Sequence, residues 1–554
     1  MLATTQRSCW LFCAALSILP SMAFAESKHS RQEWPMSGQN VQNTASNDEE
    51  REISTSNVAT LAPKWVATTG GDVSARAAVV GGAVYFPDFG GNLWALDADT
   101  GAVIWQVQLA TLFGLSPGTV VSRTSPAFQH DTVYIGTQAG PDYVYNSQAE
   151  LGTQSGANLL AFNAKTGALR WMLQLDTQSA VAGLTASPAI LEDVIHIGVS
   201  GVAQEVGVAN DAEPCCSFIG SEVAVDARTQ KILWKTPMAP SGYTGTSVWG
   251  SNAVVDAQRK SVFIGTGNNY STPTAPAYVQ CIAAGGTPKV CLSPDDHVES
   301  VVALDTRTGR IKWSQRLTDG DDWNVACNAS PVGTNCPTPQ GVDFDFGSAP
   351  NEISVRLPKA HGRQDEHRDE DHDKRRDIIG AGQKSGMYSA FDPDTGDFLG
   401  GTQVGPGGTL GGIEWGSATD GERIYVAIAN NAHLSYAGHP NLGTAGSWSA
   451  LDPTDGHILW QTPDPNGAVD IGFVTVANGV VYAPSTGAAN PSSTPNMFAL
   501  DAATGEVLWS FPSGGSVAAG AVVVNGTVYW GSGYGRLGFV GGQNKFFAFS
   551  LGGK

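Results

Sequence analysis

The sequence predicts an all-β chain folded as an eight-bladed β-propeller, its blades locked by docked tryptophans and its ring closed by strands from the two chain ends. Three observations predict it. A phrase of the form Ala-Leu-Asp-x-x-Thr-Gly-x-x-x-Trp returns along the chain, clearest from Ala95 through Asp97, Thr100 and Gly101 to Trp105. A strand of the type Gly-x-Val-Tyr-x-Gly precedes most copies, as at Thr132 to Gly136 and Thr527 to Gly531. A last copy is split, with Phe546 to Leu551 at one chain end and Pro63-Lys64-Trp65 at the other.

Each copy reads as strand, tight turn, strand. Leu93 to Leu96 suits a half-buried strand, Asp97 to Gly101 is turn chemistry, and Val103 to Trp105 opens the next strand. Near-copies end at Trp171, Trp234, Trp313, Trp460 and Trp509. The copy at Asp392 has Gly400 where the Trp belongs, the one at Asp226 has Gln230 for Gly, and the one at Asp452 has Asp455 for Thr. One small antiparallel sheet cannot bury both faces, so repeats must stack, and a Trp at a fixed place makes a flat wedge between neighbours. The split copy closes the ring and removes the free edge.

Residues Met1 to Ala25 have the form of an export signal: Arg7, an apolar core from Cys9 to Leu19, and Ala23-Phe24-Ala25 as a small-x-small cleavage site. That core is too short to span a bilayer. The remainder, 26–554, is expected to be one propeller domain in the periplasm. The chain has 554 residues, 15% of them charged, with 67 Gly, a turn-rich composition far from disorder. A net charge of -20 argues against nucleic acid and anionic membranes as partners.

Outside the signal the cysteines fall into three local pairs, for which Cys215–Cys216, Cys281–Cys291 and Cys327–Cys336 are the expected bridges, although sequence does not fix connectivity. The last two would staple loops. A bridge between adjacent residues closes almost no loop, so its use must be local. No Cys-x-x-Cys-His is present for covalent haem. Long insertions precede the Asp226, Asp305 and Asp392 copies. The stretch Lys359 to Asp377 is nearly all charge and is expected to be a solvated, disordered loop.

Polar, glycine-rich stretches recur at similar places in successive repeats: Arg123-Thr124-Ser125, Leu184-Thr185, Ser200 to Glu205, Ser247-Val248-Trp249, Gly265 to Tyr270, Asp321 to Asn324, Gly382 to Gly386 and Gly411 to Gly416. In a propeller, equivalent positions converge at one mouth of the channel. Carboxylates, an amide, two cations and an indole there suit a planar polyanionic cofactor held with a divalent cation.

These stretches, with Cys215-Cys216-Ser217-Phe218 and Asp343-Phe344-Asp345-Phe346-Gly347, resemble the pyrroloquinoline-quinone (PQQ) alcohol dehydrogenases, and within them the polyvinyl-alcohol-dehydrogenase-like branch. The resemblance runs from about Trp34 to the C-terminus. It implies PQQ and Ca²⁺ as cofactors. Trp249 then floors the quinone ring and the Cys215–Cys216 disulfide caps its other face. Arg123, Thr185, Ser247 and Lys384 match positions that bond its carboxylates and carbonyls, and Ser200, Gly201 and Glu414 complete the expected cofactor-binding set. Glu205 and Asn268, with Asn324, are the expected metal ligands.

Two departures stand out. The methanol-dehydrogenase-like enzymes place the adjacent cysteines in the first blade's loop; here the pair follows Glu205. Their motif ends Trp-Asp, with that Asp as base; here it ends Trp323-Asn324, and an amide is no general base. Asp321 or Asp322 is then the expected catalytic base, and Glu414 is another candidate. The implied activity is oxidation of an alcohol, secondary or polymeric, with electrons passing to a separate acceptor such as a cytochrome c or a quinone. The competing expectation is a non-catalytic propeller serving as a scaffold or assembly protein of the cell envelope.

Overall fold

The computed structural model describes residues 32–139, 156–177, 181–207, 215–250, 252–356, 375–487, 493–535 and 538–554. The expected export signal and the charged stretch up to Lys374 lie outside the described residues. Eight antiparallel sheets of four repeat-derived strands follow one another. Blades one to seven occupy 78–108, 127–174, 189–237, 254–316, 351–403, 418–463 and 475–511. Blade eight combines Val522–Val524, Thr527–Ser532 and Lys545–Leu551 with the N-terminal strand Leu61–Thr68, and Trp65 pairs with Ala548. The split repeat therefore closes the ring. Cys215–Cys216, Cys281–Cys291 and Cys327–Cys336 are bridged as expected.

The recurring phrase is explained by contacts between blades. In the turn, Asp97 Oδ1 accepts from the amide and hydroxyl of Thr100 at 2.9 and 2.8 Å. Gly101 follows at φ 71°, a conformation glycine takes without a Cβ clash. Its bare Cα faces the indole of Trp65 from the preceding blade; a Cβ there would approach the ring to 2.7 Å. The Trp65 indole N–H donates to the Ala98 carbonyl of the same turn at 3.1 Å. Trp105, Trp234, Trp313, Trp460 and Trp509 repeat this bond to Ala164, Thr306, Pro393, Ala502 and Leu61. Each wedge closes a hydrophobic seam with its polar atom satisfied, and truncating a buried Trp costs ~3–5 kcal/mol.

The N-terminal segment 34–47 threads the channel. The second residue of six inner strands donates its amide to this segment: Val79, Phe128, Val255, Glu352, Thr419 and Val476 bond the carbonyls of Trp34, Pro35, Val41, Gln42, Thr44 and Ala45. Buried Arg76 ties the thread to blade seven through Ser37 O, Val474 O and Thr475 Oγ1.

One boundary differs from expectation. The charged stretch is expected to reach Asp377, but the strand Arg375–Gly382 begins at Arg375. Arg375 donates to the Ser354 carbonyl at 2.8 Å, and Asp377 meets Arg259 at 2.8 Å. Those pairings draw three charged residues into the sheet.

Candidate active site

Antiparallel blades bring the entry to each inner strand and the exit of the next strand to the same mouth of the channel. Arg123, Thr185, Trp249, Asp345 and Glu414 precede the inner strands of blades two to six. Glu205, Asn268 and Lys384 follow the second strands of blades three, four and five. The topology thus gathers residues far apart in sequence.

Arg123, Glu205, Trp249, Lys384 and Glu414, all expected at the site, line one cleft together with Trp323, Asp343, Asp345, Trp415 and Tyr534. Lys384 Nζ stands 5.1 Å from the centre of the Trp249 ring, and the Arg123 guanidinium 5.6 Å. The edge of Trp249 is held by Trp415, whose ring is 5.5 Å away at 82°. Its carbonyl accepts from Thr185 Oγ1 at 3.0 Å, and Thr185 in turn meets Ser200 Oγ at 2.8 Å. Ser247 Oγ takes the Gly201 amide at 3.0 Å and pairs with the Tyr270 hydroxyl at 2.6 Å. Thr185, Ser200, Gly201 and Ser247 therefore form a hydroxyl network beside the indole, apart from the residues that line the cleft.

Lys384 Nζ bonds Asp343 Oδ1 and Asp345 Oδ2, each at 3.1 Å. Burial works against the ammonium, but these two carboxylates hold its pKa well above the ordinary value. The carboxylates are less well served. Burial pushes Glu205 up to about 8, with Asp345 adding to the effect. Burial likewise pushes Glu414 up to about 7 against the pull of Lys384, and lifts Asp343 well above the carboxylate range. Four carboxylates face two cations, an arrangement that favours one further divalent charge. Glu414 Oε2 and the indole nitrogens of Trp323 and Trp415 are buried without partners, and all three residues line the cleft. Asn268 is buried; its Nδ2 donates to the Trp323 and Asn269 carbonyls, which leaves its side-chain oxygen as the available ligand atom.

Of the candidate bases, Glu414 lines the cleft, whereas Asp321 and Asp322 sit elsewhere. Asp321 accepts the Asp343 and Phe344 amides at 2.9 and 2.8 Å, one on each oxygen, and so anchors the loop that presents Asp343. Asp322 lies beside Asp296 and Asn269, outside the cleft lining, and burial pushes it up to about 7. Asn324, expected as a metal ligand, is buried and turned away from that role. Its oxygen accepts the Ala326 amide at 3.0 Å, and its Nδ2 donates to the Tyr270 and Asn335 carbonyls at 2.9 and 2.8 Å. Asp321 and Asn324 thus serve the local backbone, and Asp322 lies outside the cleft lining. The vicinal disulfide is tied to the same region, with Cys215 Sγ 3.6 Å from the Asn324 amide.

Asp343 and Asp345 are the functional candidates that motif reading missed. The signal available was the doubled Asp-Phe in Asp343-Phe344-Asp345-Phe346; Phe346 packs in the core between blades four and five, and the two carboxylates meet Lys384. Gly347 completes the stretch; a Cβ there would approach Trp249 to 3.0 Å.

The sequence matches the PQQ_2 family, described as "Outer membrane protein assembly factor BamB", over residues 26–269 and 384–544. Polyvinylalcohol dehydrogenase of Sphingopyxis sp. (strain 113P3) is 28% identical over 534 residues, covering 89% of this chain and 72% of that protein. Polyvinylalcohol dehydrogenase of a Pseudomonas species is 28% identical over 551 residues, covering 91% and 74%. Among solved structures, the quinohemoprotein alcohol dehydrogenase ADHIIG from Pseudomonas putida HK5 superposes with a TM-score of 0.67 at 17% identity, covering 94% of this chain and 80% of its own, a likeness of fold.

Proposed function

This chain belongs to the PQQ_2 family, with quinoprotein alcohol dehydrogenases among its relatives, and from that premise we propose that it is a periplasmic PQQ-dependent dehydrogenase oxidising an alcohol to a carbonyl compound. The substrate we favour is a secondary or polymeric alcohol, with a separate cytochrome c or quinone receiving the electrons. The observation that supports this reading best is Lys384 poised over Trp249 among Glu205, Asp343, Asp345 and Glu414.

The residues fit the cofactor pair. An indole face, two cations beside it and orphaned buried donors suit a flat, polar, anionic group. The surplus of carboxylates suits a divalent cation, for which Glu205 and the Asn268 side-chain oxygen are the proposed ligands. When bound, PQQ supplies a two-electron acceptor and Ca²⁺ a Lewis acid. The chain supplies the rest. Trp249 would offer its face to the ring. Lys384 and Arg123 would pair with its oxygen atoms. The vicinal disulfide of Cys215 and Cys216, held against Tyr270 and Asn324 outside the cleft lining, would have to reach over to cap it. Trp415 and Tyr534 exclude water from the cleft. Asp343 is the proposed base: Lys384 bonds only its Oδ1, which leaves Oδ2 to take the alcohol proton. The carboxylate that Asn324 lacks is thereby supplied from a different loop.

The scaffold reading accords with the description of the family, but a scaffold has no use for four carboxylates gathered round one lysine. Reconstitution with PQQ and Ca²⁺, followed by dye-linked oxidation of primary, secondary and polymeric alcohols, separates the two. Saturable PQQ-dependent turnover, lost in Trp249→Ala and Glu205→Ala, is the expected result. Absence of PQQ binding would leave the scaffold reading standing.

A further inference from the structure

Seven of the eight blades supply a tryptophan to the ring of wedges, and blade five supplies Gly400. In six of the other seven blades the Trp faces a ring on the second strand of its own sheet. Tyr85, Tyr134, His196, Phe263, Tyr425 and Tyr529 lie 5.7 to 6.2 Å from their tryptophans. In blade five that neighbour is also glycine, since Gly380, Ala390 and Gly400 align across the strands.

The slot has nonetheless kept its shape. The Thr402 hydroxyl donates to the Gly456 carbonyl at 2.6 Å, the same link between blades that Thr236 makes to Gly309 and Thr462 to Gly505. Spacing between blades five and six is thus that of a filled seam. Under Gly456 no ring is found among the described residues: a Cβ there would meet only Thr402 Oγ1, whereas one at Gly101, Gly167, Gly309, Gly396 or Gly505 would strike an indole. Tyr388, from the neighbouring strand, leans over Gly380 and restores an aromatic wall, its hydroxyl bonded to Asn351 at 3.2 Å. The Pro453 carbonyl, which occupies the position that accepts the indole N–H in other seams, receives no donor among the described residues. What remains is a cavity of about 150 Å³, lined by Tyr388, Ala390, Thr402, Ile424, Leu451 and Gly456. A cavity of that volume has room for a benzene-sized ring, and its lining is mixed, with Arg376, Asp452 and Asp455 beside the apolar residues.

We propose that this slot is a binding site for an indole-sized planar ring bearing one N–H donor, seated edgewise between blades five and six with its N–H on the Pro453 carbonyl. Free rings and the tryptophan side chain of another chain share that chemistry. The slot opens on the outer rim, where Phe398 and Leu399 are exposed. It draws on residues separate from the cleft at the channel mouth, so the proposal stands apart from the assignment of the redox activity.

The test begins with crystals soaked in 5-bromoindole, whose bromine signal locates the ring without any substitution. Density in the slot with nitrogen toward Pro453 is expected; density elsewhere, or none, overturns the proposal. In solution, ¹⁹F line broadening of 5-fluoroindole should show binding to the wild-type protein that weakens at least tenfold in Gly400→Trp. Gly400 sits at φ 156°, so Ala390→Leu, which fills the slot from the opposite strand, provides a second block. Circular dichroism establishes that each variant is folded. Unchanged binding in a folded variant overturns the proposal. Competition by N-acetyltryptophanamide assigns the site to a side chain of another protein; competition by indole alone assigns it to a free ring.

Discussion

Arg259 and Lys384 each stand among four carboxylates, and the two clusters behave differently. Arg259 meets Asp256, Glu352, Asp377 and Asp394 at 2.9, 3.2, 2.8 and 3.3 Å on the flank between blades four and five. Asp394 is 67% exposed there, so part of the excess charge is solvated. Burial works against ionised Asp256, but bonds from Arg259 win and hold its pKa below the ordinary value. Lys384 lies at the channel mouth with 7% of its side chain exposed, between Asp343 and Asp345 that are nearly inaccessible, and the excess charge meets solvent only through the cleft. Similar numbers of charges give a structural staple where solvent reaches them freely and an unbalanced, carboxylate-rich site where it reaches them less.

Paired substitutions break the comparison most sharply. Lys384→Met in the cofactor-loaded enzyme is expected to lower kcat by ~10²–10³-fold, the scale of losing one preorganised electrostatic contact at a reacting centre. Arg259→Met is expected to leave kcat unchanged and to lower stability by ~1–3 kcal/mol, read from the denaturant midpoint. Equal losses of kcat in both would erase the distinction.

Within the mouth cluster the two classes of aspartate separate next. Asp343→Asn is expected to reduce kcat by ~10²–10⁴-fold with PQQ affinity kept, as for loss of a general base. Asp321→Asn removes acceptors for the Asp343 and Phe344 amides and should loosen the loop, raising KM and lowering the thermal midpoint. A larger kcat effect at Asp321 would return the base to the position that the motif suggested.

The smallest effect concerns pH at the staple. Burial, then Asp256, pushes Glu352 up to about 8 from an ordinary value of 4.5. A raised folded pKa means that the folded state binds the proton more tightly. The associated stability is fully present below about pH 4.5 and is lost as pH rises through about 8. The thermal midpoint should therefore fall between about pH 5 and about pH 8.5, and Glu352→Gln should flatten part of that slope. An unchanged slope would show that Glu352 ionises normally.

The repeat carried most of the fold into the sequence. Asp at the turn, Gly at positive φ and Trp on the following strand are each required by a contact with the next blade, so each is visible at fixed spacing. Gly400 already marked the one seam that lacks its wedge. The site was legible where a side chain is the feature itself, as with Trp249 or Lys384. It was not legible where backbone geometry decides what a polar side chain meets. Asp321 and Asp343 are both loop carboxylates, and only the fold shows that the first holds the second. Likewise the thread 34–47 has no periodicity of its own, because its partners are backbone amides that accept any sequence.

That thread also sets an order of events. Gln32 exchanges backbone and side-chain hydrogen bonds with Asn525, a separation of 493 residues, and Asn47 reaches the Val523 carbonyl. The ends of the stretch synthesised early can thus be seated only once the eighth blade is there to receive Gln32 and Asn47. Contacts of such long sequence separation slow a folding reaction, since loop-closure entropy must be met before they stabilise anything. A nascent chain released short of Asn525 has an open ring and lacks the partners of Gln32 and Asn47, which makes completion of synthesis a precondition for closing the ring and tying its N-terminal segment down.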